Sequence, residues 1–365
     1  MNSASWATAV DGSSWRARPV VALAVLAALL LAVGLLAIQT GAIAISMRQI
    51  VAIVIAQFGG ALPDDVTPQT VAVLLSIRLP RIVLGIAAGA GLGAAGAVLQ
   101  GVFRNPLADP MLIGVSSGAA LAVTGVIVLG GGGTFAALAD LSNIASPLML
   151  PIAGFIGGLA ATTLLYRVST HEGRTSLTTM LLAGIAINAL AFSGIGMFTT
   201  IASNEQLRNI SFWNFGSLAG AGFEHVGVIV ILVVAVCIVL TRMGPGLNAL
   251  LLGDSEARHL GFDTQALKRN VIALSALLAG VLVAACGVIG FVALVAPHVV
   301  RLICGPDHRI VIPGAALLGA TLLLGADLVA RVVVSPAELP IGIVTALLGA
   351  PFFLWLLMRN RERLA

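Results

Sequence analysis

Between Arg81 and Arg104 the chain runs for about twenty-two residues without a charged side chain, the length at which a helix crosses the hydrocarbon core of a bilayer. Gly85, Gly89, Gly93 and Ala97 recur at every fourth position of that run. The spacing puts them on one helical face, where small residues let a neighbouring helix approach closely, the usual packing device inside lipid. Arg78 and Arg81 bracket Leu79-Pro80 ahead of the run, and Gln100, Arg104 and the turns Asn105-Pro106 and Asp109-Pro110 close it before apolar sequence resumes. The stretch reads as a helical hairpin in a membrane.

The same pattern fills the chain, which is 59% hydrophobic and 9% charged, whereas ordinary globular domains are about 25% charged. A polytopic membrane protein is the only class that fits. Ten apolar runs are the expected spans, at about 20–38, 82–103, 111–130, 148–168, 176–201, 225–242, 270–287, 290–304, 312–329 and 340–358. The eighth is short for a full crossing. The first exceeds the roughly 7–15 apolar residues of a signal peptide and is read as a retained span. With the N-terminus inside, Arg48, Arg78, Arg81, Arg208 and Arg331 fall outside, and the remaining fourteen of the 19 Lys and Arg fall on cytoplasmic segments. That asymmetry is the positive-inside rule, and an even number of spans returns the C-terminus to the cytoplasm.

Two connecting segments are more than linkers. Residues 203–223 lie outside and mix polar groups with Phe212, Trp213 and Phe215, which suits a short helix at the membrane interface. Residues 243–269 form the longest cytoplasmic loop. Leu247, Leu250, Leu251 and Leu252 lead to Gly253, and Asp254 is placed to cap a second short helix carrying Ala257, Leu260 and Gly261. This helix–Gly–helix is a candidate protein docking surface; the alternative is an amphipathic loop lying on the bilayer.

Several motifs carry no chemistry here. Gly91–Gly96 matches G-x-G-x-x-G and Gly114–Gly118 matches G-x-S-x-G, but neither follows a strand, so both read as helix packing. Cys237, Cys286 and Cys304 sit in apolar runs as small hydrophobes, and the five histidines make no ligand spacing, so no metal or catalytic set is expected. A net charge of +4 does not point to nucleic acid. No phosphate-binding G-x-x-x-x-G-K-[ST] loop is present, so ATP, if used, is bound by another chain. Asn188, His298, Arg301 and Asp327 are the polar residues set in or beside spans, where each is costly. Structural hydrogen bonding is the plain reading of each, and Asp327 and Arg331, one turn apart, are placed to pair.

RLPR at 78–81, NPLADP at 105–110, LLGDSEARHLG at 251–261 and the C-terminal blocks from Gly287 to Arg309 and from Gly325 to Leu357 resemble the FecCD-type permeases that import ferric siderophores, haem and cobalamin. The likeness runs from about residue 20 to the end, leaving 1–18 as a cytoplasmic leader before a single permease domain, 19–365. It implies an all-α subunit of ten transmembrane helices with the architecture of a type II ABC importer, in the bacterial inner membrane, both termini cytoplasmic. It also implies a homodimer, two ATPase subunits that carry ATP-Mg, a periplasmic substrate-binding protein, and no cofactor or catalytic residue of the permease's own. Carried over by position, Leu251, Leu252, Gly253, Asp254, Glu256, Ala257, Arg258, Leu260 and Gly261 are ATPase-coupling residues. Arg78, Arg81 and Arg331 are expected to meet acids on the binding protein. The fifth span is expected to line the pathway through Met180, Ala183, Ile187 and Met197, the alternative being that this face packs on neighbouring helices. LIGVSSGAAL at 112–121, LLAGIAINALA at 181–191 and QLRNISFWNFGSLAG at 206–220 most resemble haem permeases, ahead of ferric siderophore and cobalamin permeases. An ion-coupled secondary transporter, the reading from a different class, would need an intramembrane carboxylate, and Asp327 alone is near a span.

Overall fold

The structure, a computed structural model, describes residues 19–41, 43–130, 149–172, 174–334 and 337–359; the leader, 1–18, lies outside them. The described helices are α1 (Pro19–Gln39), α2 (Met47–Ala56), α3 (Pro68–Ala72), α4 (Leu79–Phe103), α5 (Val115–Gly130), α6 (Met149–Ser169), α7 (Leu177–Ile201), α8 (Asn204–Asn214) and α9 (Phe223–Arg242). They continue with α10 (Gly244–Leu252), α11 (Asp254–His259), α12 (Thr264–Cys286), α13 (Val292–Cys304), α14 (His308–Val332) and α15 (Ile341–Arg359). A two-residue β-hairpin, β1 (Thr170–His171) with β2 (Arg174–Thr175), links α6 to α7. Each of the ten expected runs carries a helix. Among the described residues, seven helices are long and apolar enough to cross a membrane, with α3 and α4 counted as one run from Pro68 to Phe103.

Three features depart from the expected pattern or refine it. The second span begins not at residue 82 but at Pro68, where Thr67 caps the helix, and a π-helical turn at Val73–Arg78 leads into α4. Pro80 lies inside this continuous helical run, directly after the π-helical turn, the kind of local irregularity that lets a helix take a residue without an N–H. Helix α2 was not expected. It opens on a capping box in which Ser46 Oγ accepts from Gln49 N at 3.3 Å and Gln49 Oε1 accepts from Ser46 N at 3.0 Å. The eighth run is short, as expected, because residues 287–290 leave the helical path before α13 starts at Val292. That irregular backbone is bonded at its edges within the protein: Gly287 N donates to Val283 O at 2.8 Å, Cys286 O accepts from Ser217 N at 2.7 Å, and Gly290 O accepts from Val292 N at 2.9 Å. Non-helical backbone at membrane depth needs such partners.

Helix α4 is the axis of the bundle, buried along nearly its whole length. Its small-residue face lies antiparallel on α14. A Cβ added to Gly89 would overlap the Gly319 carbonyl, one on Gly93 would overlap that of Ala315, and one on Gly319 would in turn strike Gly89. Gly96, on a second face, meets the Ala293 carbonyl of α13. In the second tempting motif, Gly118 and Gly157 stand backbone to backbone between α5 and α6. Both glycine motifs are therefore packing devices. We expect Gly93→Ala to destabilise the protein by about 1–3 kcal/mol through overpacking, read as a lowered melting temperature in detergent. Gly325→Ala, where an added Cβ meets open space, should leave it unchanged.

Candidate functional site

Helix α4, 25 residues long, separates two polar clusters by about 37 Å. At one end Arg78 donates to the carbonyls of Ile38 (2.6 Å), Gln39 (3.2 Å) and Ile43. Arg81 pairs with Asp327 at 2.9 Å and with Glu338 at 2.9 Å, and Arg331 closes on the other oxygen of Asp327 at 3.0 Å. Arg331 also donates to Thr40 O at 3.2 Å. These three arginines were expected as free positive points for a partner. They are instead 4, 6 and 9% exposed and bound within the chain. A guanidinium beside apolar spans needs its donors satisfied locally, and here they clasp α1, α4 and α14 together. Among the described residues of this cluster, Glu338, 44% exposed at its side chain, is the acid open to solvent.

At the other end lies the 243–269 segment. Gly253 joins α10 to α11 at φ +130°, a conformation that only glycine adopts without strain, and Gly261 ends the unit at φ +88°. Leu251, Leu252 and Leu260 are 39, 66 and 60% exposed, with Glu256, Arg258 and Gly261 exposed around them. Two expectations change. Asp254 caps nothing: it is the first residue of α11, and its carboxylate accepts from Lys268 Nζ at 2.5 Å and Arg104 at 3.1 Å. Ala257 is not part of the exposed face; it is fully buried in the main core and holds α11 against the bundle. Burial works against ionisation of Asp254, but the hydrogen bond and charge of Lys268, with Arg104 and Arg258, hold its carboxyl below the usual range. The ion pair is therefore present at neutral pH and is lost only as pH falls through that lowered value. Nearby, Asn248 of α10 donates to Asp307 at 2.6 Å and accepts from His308 N at 2.9 Å, tying α10 to the start of α14.

The expected pathway face of α7 divides. Met180 is buried and Ala183 and Ile187 pack against the same core cluster, whereas Met197 is 72% exposed. The first three serve packing within the chain. The outward face of α7 carries Leu182, Ile185, Leu190 and Phe192 instead. Asn188 accepts from Ser117 at 2.6 Å, a structural bond between α5 and α7. Arg301 donates to Gln100 and to Ala97 O (3.0 Å), so it too bonds within the bundle.

A profile of the FecCD transport family matches residues 29–359. The chain belongs to the FecCD transport family. It is 44% identical to the hemin transport system permease protein HmuU of Yersinia pestis, over 79% of this chain and 84% of that one. It is 39% identical to the cobalamin import system permease protein BtuC of Halobacterium salinarum, over 81% of this chain and 76% of that one. Among solved structures, a metal-chelate type ABC transporter in an inward-facing conformation superposes at a TM-score of 0.79 with 32% identity, covering 94% of this chain and 100% of the other. The FecCD chain is thus a multi-pass, all-α transport permease, as the resemblance implied. Its arginine clasp and its leucine-faced segment stand at opposite ends of α4. Among the described residues no cluster of His, Cys, Asp or Glu is arranged to hold a metal.

Proposed function

We propose that this chain is the membrane subunit of an ATP-driven importer that passes haem from a periplasmic binding protein to the cytoplasm across the inner membrane. The observation that carries the cargo is the 44% identity to a permease named for hemin, against 39% to one named for cobalamin. On this reading two copies form the pathway and two ATPase subunits bind ATP-Mg. Each ATPase seats on one exposed surface of Leu251, Leu252 and Leu260. Large exposed apolar side chains grouped on a polar segment favour a protein partner. The binding protein docks at the opposite end, where Arg78, Arg81 and Arg331 shape the surface by fixing α1, α4 and α14.

An ion-coupled mechanism is disfavoured by the state of Asp327. Its carboxylate is fully buried and held by two arginines, which leaves it no freedom to bind and release an ion. The test is reconstitution into liposomes with binding protein and ATPase, offering haem, a ferric siderophore and cobalamin in parallel. Haem should accumulate in an ATP-dependent manner. Uptake of a siderophore or cobalamin without haem would replace the cargo, and uptake driven by an ion gradient without ATP would overturn the class.

A further inference from the structure

We propose that the Asp254 carboxylate is the joint through which the coupling segment moves α4 and α12, a positioning residue for ATP-driven transport rather than a contact with the ATPase. The inference rests on the coupling reading above. Helix α11 is only six residues long and is bounded by Gly253 and Gly261, both at positive φ. Its start has no side-chain cap. Glycine joints at both ends leave its direction to be set by contacts. Those contacts are the buried Ala257 and Asp254.

The two groups that meet Asp254 come from different elements. Lys268, the chain's single lysine, is 6% exposed on α12. A buried ammonium must find a counter-charge, and among the described residues Asp254 is the acid it reaches, at 2.5 Å. Arg104 is the residue that closes α4, in a left-handed conformation (φ 49°) uncommon for a residue other than glycine. It reaches the second oxygen of Asp254 at 3.1 Å. One carboxylate thus fastens α11 to the end of α4 and to α12. Asn248 fastens the neighbouring arm, α10, to Asp307 and His308 at the start of α14. Helices α4 and α14 are themselves locked through Gly89 and Gly319. A push on Leu252 or Leu260 is therefore delivered to the central helix pair as a unit.

The test uses the full complex of permease, ATPase and binding protein in liposomes. Asp254→Asn keeps the side-chain shape and removes the charge. It should bind ATPase normally and hydrolyse ATP, while cargo moved per ATP falls by about fivefold or more, the low end of coupling energies between distant sites. Lys268→Met should behave likewise and Lys268→Arg should retain coupling. Should Asp254→Asn not fold, Arg104→Gln decides the matter, because that side chain is 41% exposed and its loss spares the core. A wild-type ratio of cargo to ATP in Asp254→Asn, or in Arg104→Gln should Asp254→Asn not fold, would overturn the proposal. So would loss of ATPase binding in either, which would make the cluster part of the docking surface. Failure of the wild-type chain to assemble with any ATPase would instead strike the coupling reading beneath it.

Discussion

Arg81→Glu is expected to abolish the folded permease. The substitution removes one of the two arginines that hold a fully buried carboxylate, Asp327, and sets a third acid beside Asp327 and Glu338. Removing one member of a buried ion pair costs about 3–5 kcal/mol, and reversing the charge adds repulsion to that loss. Marginal stabilities of about 5–15 kcal/mol do not readily absorb such a change. Arg81→Met should be milder, since Arg331 still neutralises Asp327. Arg81→Met combined with Asp327→Leu should be less stable than Arg81→Met alone, because the buried Arg331 then loses its carboxylate. Size-exclusion profiles and melting temperatures in detergent give the readout. If Arg81→Glu folds with normal stability and only its association with the binding protein suffers, the guanidinium is a docking contact, and the clasp assigned here is wrong.

The second large effect is at the opposite end. Leu252→Asp with Leu260→Asp should eliminate ATPase seating while the permease folds and inserts normally, since both side chains are well exposed. Burying such a leucine contributes about 1.5–3 kcal/mol, so losing two anchors costs at least about 3 kcal/mol, a fall in affinity of over about a hundredfold. Ala257→Trp gives the complementary result. Its site is fully buried among core residues, so the indole cannot be accommodated and the permease itself should fail, with or without ATPase. Co-purification of ATPase with each variant, alongside the yield of folded permease, separates a surface residue from a packing one. Full ATPase retention in the double Asp variant would remove the coupling segment from the interface.

What the sequence determined by itself was the scaffold. Runs of about twenty apolar residues have few options in water or in lipid, so a helix could be read in each of the ten runs, though not the early start of the second at Pro68 nor α2. The break before the short eighth run and the helix–Gly–helix with its leucines were equally legible. Glycines every four residues announced a close helix contact, although not that the partner was α14. Local signals were a mixed guide: Gly253 marks the sharp joint, whereas Asp254, expected to cap α11, is its first residue, and the Ser46–Gln49 capping box opens a helix that hydropathy did not show.

Only the tertiary structure decided how the polar groups are used. Arg81 and Asp327 are separated by 246 positions, and Arg104 and Asp254 by 150, so no periodicity links them. An arginine at a span end looks the same in sequence whether it waits for a partner protein or binds its own chain; burial and the nearest acid make the difference. Ala257 and Leu260, three residues apart on one short helix, illustrate the same point, one sealed in the core and the other facing outward. On α7, where apolar residues cover every side, hydropathy could not say which face turns inward, because lipid and protein interior are alike to a leucine. The packing of α7 against α5 and α6 settled it, placing Met180 inside and Leu182 outside.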